Sequence, residues 1–154
     1  MPSAWLLDTN IFLRMSNSAD PQNATIVQVI RGLTSSHHRL CFTSQILGEF
    51  WNVSTRPQNQ NGFGLTVAQT SRLASVMERD FELLPDTPAV HTHWRVLLEE
   101  HEIKGVQVHD ARLAAAMYVY NITNLLTFNL RDFERFTGLE AIDPVQSLLH
   151  QQQR

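Results

Sequence analysis

The chain is poor in the features that would mark a secreted, fibrous or membrane-spanning protein. It has a single cysteine, Cys41, which excludes an intrachain disulfide framework. Cys41 lies in the apolar run LCF, where a thiol is expected to be buried and inert. No stretch approaches the roughly 20 consecutive apolar residues that span a bilayer. The opening MPSAWLLDTN lacks a basic segment, and Asp8 interrupts its apolar run, so no signal peptide is read. Repeats are absent, and the one low-complexity segment is the terminal HQQQR, expected to fray. An excess of positive charge is also missing. The formal net charge of −3 provides no overall attraction to nucleic acid and argues against a DNA-packaging or RNA-coating role. It leaves room for an enzyme with a local basic rim. These absences point to a soluble, cytoplasmic protein.

What is present suits one globular domain over residues 1–154. The content of 43% hydrophobic and 18% charged residues is ordinary for such a domain. Short apolar runs alternate with helical patterns. WLLD, RLCFTS at 39–44, FELLP, NLLTF at 124–128 and LEAID read as strands. Helices are expected over Asn23–Ser36, from Ser44 as cap to Pro57, from Thr66 towards Asp80, from Thr87 to Gly105, along ARLAAAMYVY, over a turn or two of RDFERF, and after Pro144. TVAQ has the form of a capping box, Pro88 suits a first helical position, and Leu73, Val76 and Met77 are expected to face inward. QNQNGFG at 58–64 reads as a flexible loop, and VQVHD as a brief extended piece. Alternating strands and helices predict an α/β fold with a mainly parallel sheet of about five strands between helical layers. Ligands in such folds bind beyond the carboxyl ends of the strands, where Asp8, Thr127 and Asn129 fall.

Four acids sit among apolar neighbours: Asp8 after WLL, Glu49 in ILGEFW, Asp110 in VHDARLAAA and Asp132 in NLRDFERF. Each has an ordinary structural reading. Asp8 can cap the turn after its strand. Asp110 can complement a helix dipole, Glu49 can lie on a wet helix face, and Asp132 can open a short helix. Three of them fall near strand ends or helix starts, where an α/β sheet gathers its site, and clustered carboxylates raise one another's pKa unless a cation neutralises them. The hard oxygen donors suit Mg²⁺ or Mn²⁺. Zinc is not expected, because HTH at 91–93 and HH at 37–38 do not form a compact ligand motif. A carboxylate-held ion suits phosphodiester cleavage. The hydroxyls of Thr9, Thr127 or Ser44 can orient water or phosphate, and Asn10 can support Asp8.

LLDTNIF, SQILGEFWNVSTRP, VHDARLAAAM and LLTFNLRDF, in this order and with these separations, resemble the PIN-domain family, in particular its VapC-type toxins. The resemblance spans about residues 4–145. It implies a three-layer α/β/α fold and a Mg²⁺- or Mn²⁺-dependent ribonuclease. It assigns Asp8, Glu49 and Asp110 as metal-binding acids. The family's fourth acid often stands where this chain has Asn129; the amide removes one charge, makes a second metal less expected, and leaves Asp132 to compensate. His109 adjoins Asp110 and has a structural hydrogen bond as its simpler use. Arg14, Arg56 and Arg131 can line the pocket, and Trp51, Phe63 and Phe128 can stack on a base, although salt bridges and core packing are the ordinary uses of such residues. The resemblance also implies an antitoxin partner and a homodimer, for which Phe50, Trp51 and Trp94 are candidates. Two other readings compete. A haloacid-dehalogenase-like phosphatase would need an acid where Asn10 stands. A catalytically silent module that only binds RNA or protein draws its support from Asn129.

Overall fold

The central strands are short, apolar runs with no wet face, so they form a parallel sheet buried on both sides at its centre, while the edge strands stay partly exposed. In the computed structural model, which describes residues 1–154, the strands are β1 (Ala4–Leu7), β2 (Arg39–Thr43), β3 (Glu82–Leu84), β4 (Asn124–Leu126) and β5 (Glu140–Ile142). All pairings are parallel, and the order is β3-β2-β1-β4-β5. The central strand β1 aligns Leu6 with Cys41 on one side and Leu125 on the other. The chain therefore departs from β1 in one direction and returns on the other side of it at β4. That reversal opens a crevice outside the carboxyl ends of β1 and β4.

The helices are α1 (Thr9–Met15), α2 (Asn23–Ser35), α3 (Ser44–Thr55), α4 (Val67–Asp80), α5 (Pro88–Glu100), α6 (Gln107–Val119) and α7 (Pro144–Gln152). They pack in two groups. α5 lies against α6, while α1 packs on α2 and α3, α2 on α7, and α3 on α4. Helix α6 buries Ala111, Leu113, Ala114, Ala115, Ala116 and Met117. Its small residues let it approach its neighbours closely, and shortening Leu113 to Ala would cost about 2–5 kcal/mol. No helix is long and apolar enough to cross a membrane.

Several local signals hold. Thr66 and Gln69 form the capping box, with bonds of 2.9 and 3.1 Å. Thr87 caps α5 ahead of Pro88. Others are corrected. Thr43, not Ser44, caps α3: its backbone is extended, and its hydroxyl accepts from the Ile46 amide. The inward stripe of α4 runs through Thr70, Ala74 and Met77, which leaves Val76 42% exposed. VQVHD is helical rather than extended. The chain turns at Gly105 (φ +58°), and the Val108 amide already donates to the Gly105 carbonyl. The β-branched valines disguise this start.

The loop at 58–64 is fastened rather than flexible. A 3₁₀ turn spans Gln58–Gln60, and the amides of Phe63, Gly64 and Leu65 donate to the carbonyls of Val53, Arg56 and Ser54 at 2.8–3.0 Å. The tail stays helical through Gln152, with Gln151 Nε2 donating to the Val29 carbonyl at 3.3 Å.

Candidate active site

The Asp8 amide still donates to the Leu126 carbonyl at 3.0 Å, so the residue remains on the sheet edge although the strand has ended. Its carboxylate is 6% exposed and uses both oxygens. Oδ1 accepts from the Thr9 amide at 2.7 Å and so caps α1, a helix the sequence pattern did not announce. Oδ2 accepts from the Thr127 hydroxyl at 2.8 Å. Asp8 thus caps, as its ordinary reading has it, and also faces the β4 terminus.

Thr127 is wholly buried. Its oxygen accepts from the Asn129 amide at 3.0 Å and from Asn10 Nδ2 at 3.5 Å, and Asn10 Oδ1 accepts from the Phe128 amide at 3.5 Å. Asn10 therefore supports Asp8 only through Thr127. On the other side, the Thr9 hydroxyl donates to Glu49 Oε2 at 2.6 Å. Gln45 Nε2 donates to Glu49 Oε1 at 3.1 Å and to the His109 carbonyl at 2.9 Å. Hydrogen bonds thus run from the β1 and β4 termini through α3 to the first turn of α6, where Asp110 sits half-buried.

Electrostatics reports the same convergence. Burial pushes the Asp8 carboxyl up. The Thr127 and Thr9 hydrogen bonds oppose that rise, and the charges of Glu49 and Asp132 add to it. Asp110 is pushed up to about 7, first by burial and then by the charges of Asp132, Asp8 and Glu49, with Arg135 opposing. Acids from four segments therefore share one field, and a cation would relieve it. Hard oxygen donors of this kind fit Mg²⁺ or Mn²⁺. Each bonded carboxylate oxygen keeps a second acceptor site. No three Asp, Glu, His or Cys side chains are grouped closely enough to hold an ion unaided, so water would complete the shell, as it commonly does for Mg²⁺.

The remaining candidates divide. Asn129, Arg131 and Asp132 are exposed and line a shallow pocket with Phe128 beside the acids. Asp132 lies within the 3₁₀ turn Leu130–Phe133, which Asn129 precedes. Arg14 stacks over the Phe128 ring at 4.6 Å and pairs with Asp20 at 3.6 Å. Arg56 ends α3, and Phe63 lines a separate pocket with Asn17 and Gln58. His109 contributes its carbonyl. Ser44 is exposed and stands outside the hydrogen bonds of the site. Among the suggested dimer residues Phe50 is core at 1% exposure, Trp94 Nε1 donates to the Val108 carbonyl at 2.8 Å, and Trp51 is half-buried.

Two residues were missed. Gln45 stands one turn before Glu49, a spacing that pairs side chains on a helix, and was legible. Arg135, held by Gln107 at 2.9 Å, carried no sequence signal, because only tertiary packing brings it to Asp110. A cavity of about 750 Å³ lies elsewhere, among Phe12, Ile30, Phe50, Leu73 and Met77. It contains none of the four acids.

Residues 5–139 match the PIN domain family model, and the chain belongs to that family. Several solved structures share the fold. VapBC2 from Rickettsia felis, bound to a promoter DNA fragment, superposes with a TM-score of 0.67 at 19% identity, over 91% of this chain and 98% of that one. VapBC-1 from nontypeable Haemophilus influenzae does so with 0.64 at 21%, over 92% and 98%. VapC20 from Mycobacterium tuberculosis, a sarcin–ricin loop cleaving toxin, gives 0.57 at 18%, over 79% and 86%. At these identities the likeness is one of fold. No curated protein matches the chain in sequence.

Proposed function

We propose that this chain is a Mg²⁺- or Mn²⁺-dependent endoribonuclease that hydrolyses RNA phosphodiester bonds. We read it as the cytoplasmic toxin of a type II toxin–antitoxin pair, acting as a homodimer and held by a cognate antitoxin. The observation that carries the reading is the shared field of Asp8, Glu49 and Asp110 at the sheet's reversal point, with Asp110 pushed up to about 7. Burial joined to crowded negative charge fits a site built for a cation. Family membership and the toxin structures that share the fold support it, VapC20 among them as a sarcin–ricin loop cleaving toxin.

Asp8, Glu49 and Asp110 would hold the ion, directly or through water, with Asn129 and Asp132 at the rim. When bound, such an ion polarises the phosphoryl oxygen and lowers the pKa of a water. The chain's own residues supply the rest. Thr127 and Thr9 hold Asp8 and Glu49 in place; both are buried and spend their hydroxyl protons on those carboxylates, so positioning the acids is their role and neither is free to orient a phosphate. A carboxylate of the group takes the proton of the attacking water. Arg131 contributes positive charge to the backbone path, while the Phe128 ring is covered by Arg14 and packs on the core. The absence of an acid at Asn10 disfavours the phosphatase reading.

Incubation of the purified protein with a mixed RNA pool in Mn²⁺, Mg²⁺ or EDTA, beside Asp8→Asn and Asp110→Asn, tests this. Cleavage should require metal and vanish in both variants. Equal cleavage by the variants would overturn the assignment. Metal binding without cleavage of any pool would favour the silent binding module.

A further inference from the structure

We infer that Gln45 is a positioning residue of the acidic pocket: its amide locks Glu49 against the first turn of α6, and divalent-cation affinity depends on that lock. This rests on the metal-dependent reading above.

Both protons of Gln45 Nε2 are committed, one to Glu49 Oε1 at 3.1 Å and one to the His109 carbonyl at 2.9 Å. The first partner lies one turn along α3. The second lies 64 positions away, next to Asp110. Glu49 Oε2 is already held by Thr9 at 2.6 Å. The glutamate is therefore gripped from the Asp8 side by a hydroxyl and from the Asp110 side by the amide. Removing Gln45 frees one oxygen and unties α3 from α6.

The chemistry of the contact is selective. Both partners are acceptors, so only a donor with two protons serves them, and the oxygen end of the amide would be repelled by both. Gln45 Oε1 is buried and has no hydrogen-bond partner. An unpaired buried carbonyl is unfavourable, so packing alone would be better met by an apolar side chain of similar length. A lysine would also bridge the two acceptors, but its charge would occupy the field meant for a cation. A neutral amide ties the elements together and leaves the pocket's negative charge intact. Partners that orient metal-binding side chains in this way typically matter 10–100-fold for affinity.

The test compares wild type, Gln45→Met, Gln45→Ala and Asp8→Asn. Mn²⁺ binding is followed by calorimetry, and unfolding temperature is measured in EDTA. Methionine matches the length and removes the donor; alanine tests the same loss if methionine perturbs folding. The expected result for Gln45→Met is Mn²⁺ affinity lowered about 10-fold or more, with metal-free unfolding at or above the wild-type temperature. Wild-type affinity in both Gln45 variants, with Asp8→Asn impaired, overturns the positioning role alone. A lower metal-free unfolding temperature with unchanged affinity reduces Gln45 to an ordinary structural tie and overturns it too. If wild type does not bind Mn²⁺, or Asp8→Asn binds it equally well, the metal site itself fails and the inference falls with it.

Discussion

The Thr127 hydroxyl donates to Asp8 Oδ2 at 2.8 Å across 119 positions of chain. The contact exists because β1 and β4 are neighbours in register, with Leu7 opposite Leu126, so that the residues just past each strand meet. Thr127 also accepts from the Asn129 amide, which makes it the hub of the β4 terminus. Replacing it by valine removes the donor from a buried carboxylate and the acceptor from a main-chain amide. Urea unfolding of Thr127→Val at neutral pH should show a loss of about 1–3 kcal/mol. A change within a few tenths would mean that the hydroxyl carries no net stabilisation.

Asp110 provides a pH test. Its folded pKa of about 7 exceeds the ordinary value of 3.8, so the folded state holds the proton more tightly than the unfolded one. Ionisation therefore costs stability progressively as pH rises from about 4 to 7, and the cost is complete above 7. In EDTA, Asp110→Asn should match wild type near pH 4 and be more stable at pH 8. The gain should be roughly 1–2 kcal/mol once solvent screening of a half-buried group is allowed for. Thermal unfolding from pH 4 to 8 would refute this if the difference did not grow with pH.

Metal addition should act in the opposite sense. Mn²⁺ at about 100 times its dissociation constant should stabilise wild type by about 2.7 kcal/mol. Asp8→Asn and Asp110→Asn should lose most of that gain, and EDTA should reverse it. A response equal in all three proteins would place the ion elsewhere.

Two glycines predict opposite outcomes. A Cβ at Gly48, in α3, would meet nothing within 4 Å. Gly48→Ala should stabilise the protein by about 0.5–1 kcal/mol through reduced chain entropy. A Cβ at Gly62 would lie 2.0 Å from the Arg56 carbonyl oxygen, which is backbone already engaged by the Gly64 amide. Gly62→Ala should cost about 1–3 kcal/mol and loosen the loop at 58–64. Chemical denaturation of both variants checks the pair.

Much of this molecule is written in local chemistry. Short apolar runs, the Thr66–Gln69 box, and Thr87 with Pro88 act within a few residues of chain, and so could be read directly. So could the four acids, because a carboxylate among apolar residues stands out wherever it lies. Some readings failed because neighbours compete. Thr43 and Ser44 are both good caps, and backbone geometry chooses between them. Val76 and Ala74 lie on adjoining helix faces, and the orientation of α4 decides which is buried. Helix α1 was missed because Asp8 serves two elements at once.

By itself the sequence determined the alternating elements, the parallel character of the sheet and the identity of the acids, since periodicity and side-chain polarity act over short distances. Only the tertiary structure decided the order β3-β2-β1-β4-β5, and with it the meeting of Asp8 with Thr127 and of Gln45 with the His109 carbonyl. Those contacts depend on which buried surfaces pair across long separations. That choice is made by the packing of the whole core, because no local segment can bury its own apolar face alone.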